Sequence, residues 1–115
     1  MSLAEPFPDT VYLFCYTSGT TGDPKGVMLS NKNIIAPAVI ASKNLDDISN
    51  NDITISYLPL AHSFEQDVFT LCLIYGVKIG YYSGDVLKLV DDLQVLKPTF
   101  FPSVPRLFNR IYGKV

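Results

Sequence analysis

The chain has little cysteine, little histidine and little charge. Its two cysteines, Cys15 and Cys72, lie far apart inside apolar stretches and form no C-x-x-C pair. That gives little support to a metal knuckle or a disulfide framework, and it fits a reducing, intracellular setting. Charged residues make up only 17% of the 115, with nine Lys and Arg against eleven Asp and Glu for a net charge of −2. No basic run interrupts this near-balance, so nucleic acid is not expected as a partner. There is also no stretch of ~18 consecutive apolar residues and no basic N-terminal region leading into an apolar core, so neither a membrane span nor a signal peptide is expected.

Apolar residues are present in quantity, at 48%, enough to offset the entropy of ordering a compact fold. The length suits one domain. Residues 1–9 read as a leader without an element pattern, and Met1 to Leu3 as an expression remnant. Residues 10–115 are expected to form a single α/β unit.

Strand and helix patterns alternate along that unit. Val11 to Tyr16 reads as a buried strand, and Gly26 to Leu29 as a second strand returning beside it. Ser30 has the chemistry of a helix N-cap ahead of Ile34, Ile35, Ala38 and Val39, with Pro37 expected to kink or shorten the helix. After the polar link Asn44 to Asp52, Ile53 to Leu58 is a strand. Ser63 and Gln66 have capping-box spacing at the head of a deeply buried helix ending at Gly76. Val77 to Tyr82 is a strand, Val86 to Leu96 carries one apolar helical stripe, Thr99 to Phe101 is a short strand, and Ser103 caps a helix with Pro105 at its second position. The alternation predicts an α/β fold, mainly a parallel sheet flanked by helices, with ligands at the loops after the strands' carboxyl ends.

The densest chemical signal is Tyr16-Thr17-Ser18-Gly19-Thr20-Thr21-Gly22-Asp23-Pro24-Lys25-Gly26. Its glycines let backbone N–H groups approach an anion, its hydroxyls donate to phosphate oxygens, and Lys25 adds a cation. Composition alone leaves two readings open, a polyphosphate cradle or a flexible turn. The spacing is neither G-x-x-x-x-G-K-[ST] nor G-x-G-x-x-G. Two further stretches stand out: Tyr57-Leu58-Pro59-Leu60-Ala61-His62-Ser63-Phe64-Glu65, and Phe101-Pro102-Ser103-Val104-Pro105-Arg106-Leu107-Phe108. On residue chemistry alone, His62 either caps and packs or lines a site. Arg106 either pairs with a carboxylate or marks a motif.

In order, T-S-G-T-T-G-D-P-K-G resembles the phosphate-loop signature of the adenylate-forming (AMP-binding) superfamily. Its continuation Val27-Met28-Leu29-Ser30-Asn31 resembles the segment after that signature in acyl-CoA ligases. The stretches from Tyr57 and from Phe101 resemble the long-chain fatty acid–CoA ligase form of later motifs. The resemblance implies a fragment of a larger N-terminal domain. It further implies that Thr17, Ser18, Gly19, Thr20, Thr21, Gly22 and Lys25 bind the phosphates of ATP, with Lys25 catalytic by offsetting the charge on departing pyrophosphate and Thr17 beside it as catalytic. His62, Phe64 and Glu65 would border the acyl and adenylate pocket. ATP, Mg2+, CoA and a fatty acid are the implied cofactors and substrates, with no metal ligands in this stretch and the remainder of the parent chain as partner. The parent is expected in the cytoplasm or peripheral to an intracellular membrane, membrane association belonging to the parent only. These 115 residues alone are expected not to turn over. A non-catalytic, flavodoxin-like module for a phosphorylated ligand is the alternative.

Overall fold

A computed structural model of the chain describes residues 5–17, 23–45 and 47–113. The chain divides into two compact units, Met1–Asp46 with Pro59–Leu71, and Asp47–Leu58 with Cys72–Val115. Each holds one two-stranded sheet.

In the first unit, β1 (Val11–Thr17) pairs antiparallel with β2 (Lys25–Ser30). Leu13 lies opposite Leu29, Cys15 opposite Val27, and Thr17 opposite Lys25. The register shifts between Val11 and Leu13, where an extra residue on β1 makes a local irregularity. The strand forms as expected but is not buried, because only one face of the pair is covered. Leu13, Cys15 and Leu29 are half-buried, whereas Tyr12, Phe14 and Tyr16 on the opposite face are 59%, 58% and 72% exposed.

Helix α1 (Asn31–Ser42) starts directly from β2. Ser30 is its N-cap: the Ser30 hydroxyl accepts from the Asn33 N–H, and the Asn33 side chain accepts from the Ser30 N–H at 3.1 Å. The next orphan donors are met by the stretch before β1, which has no element pattern in the sequence. The Asn31 N–H donates to the Thr10 carbonyl at 3.0 Å and the Lys32 N–H to the Pro8 carbonyl at 2.9 Å. Pro37 does not end the helix, which continues to Ser42 with Ile34 and Ala38 buried. One turn apart, these two define the packed face.

In the second unit, β3 (Ile53–Ser56) and β4 (Lys78–Tyr81) are parallel, in register from Ile53 opposite Lys78 to Ser56 opposite Tyr81. The connection between them contains α2 (Ser63–Tyr75), as a parallel pair requires a long crossover. The fold is α/β as expected, and among the described residues its strands form one parallel and one antiparallel pair with helices beside them. Gly76 ends α2 at φ 69°, and the Val77 N–H returns to the Cys72 carbonyl, the left-handed termination that glycine favours. Burial of α2 is partial: Leu71 and Cys72 are inside, but Leu73 and Ile74 are exposed.

The core of this unit gathers Ile55, Tyr57, Leu89 and Leu107, with Leu93, Leu96, Phe101 and Val104 packed around them. Leu89 begins α3 (Leu89–Leu96), and Leu107 belongs to α4 (Pro105–Tyr112). The stripe expected from Val86 starts as a 3₁₀ turn, Val86–Lys88, whose Leu87 N–H is capped by Asp85 at 2.8 Å. Pro105 is the first residue of α4, where its missing N–H costs nothing. Ser103 instead accepts from the Tyr57 hydroxyl at 2.9 Å. Rings of Tyr57 and Phe101 stand 5.5 Å apart, and Phe101 meets Phe108 edge-on at 6.2 Å.

Thr99 to Phe101 forms no strand. The Thr99 N–H donates to the Ile53 carbonyl at 2.8 Å, but the Ile53 N–H turns to the Thr99 hydroxyl at 3.0 Å. A side chain takes the place of the backbone acceptor, and the flanking Pro98 and Pro102 have no N–H to extend a ladder.

A Cβ on Gly80 would stand 2.6 Å and 2.7 Å from the Leu96 methyls, so β4 and α3 fit only because that position has no side chain. Gly80→Ala is expected to destabilise the fold by about 1–3 kcal/mol. In a Leu96→Ala background that cost should shrink, a coupling read by urea unfolding of the four variants.

Asp52 accepts from the Thr99 hydroxyl at 2.7 Å and from the Ser49 N–H at 2.8 Å. The Thr99 hydroxyl first, and the Ser49 amide next, hold its carboxyl below the ordinary value of 3.8. A lowered carboxyl stabilises fully above the unfolded value, and that stabilisation is lost as pH falls through the folded one. Asp52→Asn should therefore flatten the loss of stability below about pH 3.8, and an NMR titration of the wild-type carboxyl carbon should give a midpoint beneath that value.

Candidate functional site

The first unit carries the stretch singled out for phosphate chemistry and, from Pro59 on, the one singled out for acyl chemistry, whose Tyr57 and Leu58 belong to the second unit. The β1–β2 register ends at the pair Thr17 and Lys25, so residues 18–24 form the connection. Ser18, Gly19, Thr20, Thr21 and Gly22 lie outside the described residues. Lys25 is exposed at the start of β2, directly across the ladder from Thr17. Both ends of the glycine loop are thereby pinned to one cross-strand pair.

Gly26 comes next, under an aromatic ring. A Cβ there would stand 3.3 Å from Cε1 of Tyr16, so the glycine lets the Tyr16 ring lie over β2. Tyr16 itself is open to solvent on its other side.

The turn Pro59–His62 approaches the opposite face of the hairpin. Cys15 donates its thiol to the Ala61 carbonyl at 3.6 Å, a weak bond typical of sulfur. By the period-two alternation, Lys25 projects to the same face as Val27, the cross-strand partner of Cys15. The loop's lysine and the turn leading into α2 thus belong to one side of the sheet.

His62 is exposed, Phe64 half-buried and Glu65 buried, at 3% exposure. The head of α2 is not built as the Ser63 and Gln66 spacing suggested. Ser63 is already the first helical residue. The Phe64 N–H donates to Nδ1 of His62 at 3.3 Å, while the Glu65 and Gln66 N–H groups donate to the His62 carbonyl. His62 therefore satisfies the helix's first donors. Gln66 reaches further back, its Nε2 donating to the Leu60 carbonyl at 2.5 Å. One turn on, burial pushes the Asp67 carboxyl above its ordinary value.

Sequence reasoning singled out Lys25 and His62, but it did not single out Cys15 or Gln66, which the structure ties to the same turn. Cys15 has the character of an apolar strand residue, and its partner is a backbone carbonyl 46 positions away, for which no side-chain pattern exists. Gln66 is visible in the sequence only as a capping partner. Among the described residues no group of three or more His, Cys, Asp or Glu side chains could hold a metal ion, and no helix is long and apolar enough to cross a membrane.

Comparison with known proteins gives this arrangement its context. The AMP-binding enzyme family model matches residues 2–114. Over 113 residues the chain is 50% identical to long-chain-fatty-acid–CoA ligase 5 of Mus musculus, covering 96% of this chain and 16% of that protein. It is 52% identical over 110 residues to the peroxisomal long chain acyl-CoA synthetase 6 of Arabidopsis thaliana, with the same coverage. The chain thus spans about a sixth of the length of these relatives. In structure it resembles the o-succinylbenzoate CoA synthetase of Bacillus subtilis solved in complex with ATP and magnesium, with a TM-score of 0.79 and 26% identity over 96% of this chain and 23% of that one.

Proposed function

The chain belongs to the AMP-binding enzyme family, and from that premise we propose that the protein carrying it is an ATP-dependent long-chain fatty acid–CoA ligase. The fatty carboxylate attacks the α-phosphorus of ATP and expels pyrophosphate. The thiol of CoA then attacks the acyl carbonyl of the adenylate, and AMP leaves. The substrate class is supported by about 50% identity to ligases named for long-chain acids.

The observation that carries the reading is the T-S-G-T-T-G-D-P-K-G stretch strung between the paired residues Thr17 and Lys25. A triphosphate needs many donors and a cation near its terminal oxygens. Hydroxyls at Thr17, Ser18, Thr20 and Thr21, backbone N–H groups freed by Gly19 and Gly22, and the exposed Lys25 have that chemistry. In this reading they hold the β- and γ-phosphates, and Lys25 offsets the charge that grows as pyrophosphate departs. Magnesium enters with ATP as part of the substrate, neutralising the triphosphate.

His62 and Phe64, at the head of α2, border the acyl and adenylate pocket in the proposed enzyme. Glu65, buried behind them, supports that wall from inside. Cys15 and Cys72 are thiols, and the reading places the enzyme inside the cell, cytoplasmic or peripheral to a membrane.

The direct test is exchange of labelled pyrophosphate into ATP by the full-length protein carrying this segment, with a panel of acids. Exchange dependent on long-chain acids is expected. Exchange with another acid alone would keep the chemistry and change the substrate. None with any acid, in folded protein that binds ATP, would favour a non-catalytic phosphate-ligand module. Lys25→Ala in the same protein should slow adenylate formation by roughly ten- to a thousandfold while changing fatty acid binding much less, since its charge acts mainly as pyrophosphate leaves. An unchanged exchange rate would remove Lys25 from the mechanism.

A further inference from the structure

Three consecutive carbonyls in the turn before α2 each have a separate donor. Pro59 accepts from the His62 N–H at 2.9 Å, Leu60 from Nε2 of Gln66 at 2.5 Å, and Ala61 from the thiol of Cys15 at 3.6 Å. The thiol is the weakest of these donors and the amide of Gln66 the strongest side-chain one. His62 lies in sequence between the carbonyl that Gln66 holds and Gln66 itself, so this bond spans it.

His62 is constrained from within as well. Its Nδ1 accepts from the Phe64 N–H at 3.3 Å. A ring nitrogen that accepts carries no proton, so in the neutral imidazole the proton is on Nε2. Its Nδ1 is engaged with the backbone, and its Nε2–H remains the group able to meet a ligand.

We infer that Gln66 is a positioning residue: by holding the Leu60 carbonyl it fixes the turn so that His62 keeps Nδ1 on the helix backbone and offers Nε2–H as a donor to an acyl or carboxylate oxygen. This rests on the functional reading above, in which His62 borders the acyl pocket. Leu60 and His62 are exposed, so water replaces the lost bond when Gln66 is removed. The change then falls on the ring's orientation more than on stability.

Substitutions at position 66 can isolate that effect, because Gln, Leu and Lys differ little in helix propensity. Gln66→Leu deletes the donor, and Gln66→Lys restores one on a longer stem. In the full-length protein, ¹⁵N-histidine NMR, with the His62 signals assigned by their loss in His62→Ala, should show the Nε2–H tautomer in wild type and in Gln66→Lys. In Gln66→Leu it should show a mixture of the two tautomers. Fatty-acid-dependent pyrophosphate exchange should fall roughly two- to tenfold in Gln66→Leu, the range one hydrogen bond allows, and recover in Gln66→Lys.

Acting through His62 has a further signature: in a His62→Ala background, Gln66→Leu should lower exchange no more. A fully additive loss, or an unchanged tautomer in Gln66→Leu, would overturn the positioning role. Wild-type protein that exchanges with no acid would sink the functional reading instead, and the tautomer measurement would still decide what Gln66 does to His62.

Discussion

Pairing of β1 with β2 is the constraint on which the first unit depends. Once Leu13 sits opposite Leu29 and Cys15 opposite Val27, Thr17 and Lys25 must close the ladder. A slip of one residue would carry Cys15 to the other face and break its bond to the Ala61 carbonyl. The same register delivers Ser30 to the head of α1, where the carbonyls of Pro8 and Thr10 wait for its first N–H groups. The Thr17–Lys25 closing pair, the turn contact and the helix start are consequences of one alignment.

The second unit depends on close approach in place of alignment alone. Tyr57 joins both aspects, with its ring in the core and its hydroxyl on Ser103. In the sequence those two residues belong to separate motif-like stretches, and here they are partners. At the other end of β3, Thr99 and Asp52 tie the segment after α3 to Ile53 through side chains where a ladder would use backbone. Thr54 is the exception to this satisfaction: its hydroxyl is buried at 1% exposure without a hydrogen-bond partner, a cost the strand bears between two covered faces.

Much of this is legible in the sequence. The strands from Val11 and Ile53, the Ser30 cap and the Gly76 stop rest on local rules, since each depends on a few neighbouring residues. The glycine-rich stretch stands out in the sequence because its order is specific. The features that escape such reading share a physical cause, dependence on partners distant in sequence. Tyr12, Phe14 and Tyr16 have strong strand propensity whether or not anything covers them, so their exposure could not be read. Thr99 has the composition of a strand residue, yet its hydroxyl captured the amide that a ladder would have used. Gln66 has the spacing of a capping partner for Ser63, but the helix began one residue earlier than that box requires and its amide found Leu60. Pro37 argued for a break, and the packing of Ile34 and Ala38 on either side carried the helix through.

The hairpin's uncovered face bears on how the polypeptide behaves in solution. Tyr12, Phe14, Tyr16 and Met28 place aromatic and thioether surface side by side, and among the described residues neither outer edge of the pair meets another strand. An apolar face flanked by unpaired backbone is a template for adding a further strand. The surface available for self-association and the packed core of the second unit are accordingly set in different places.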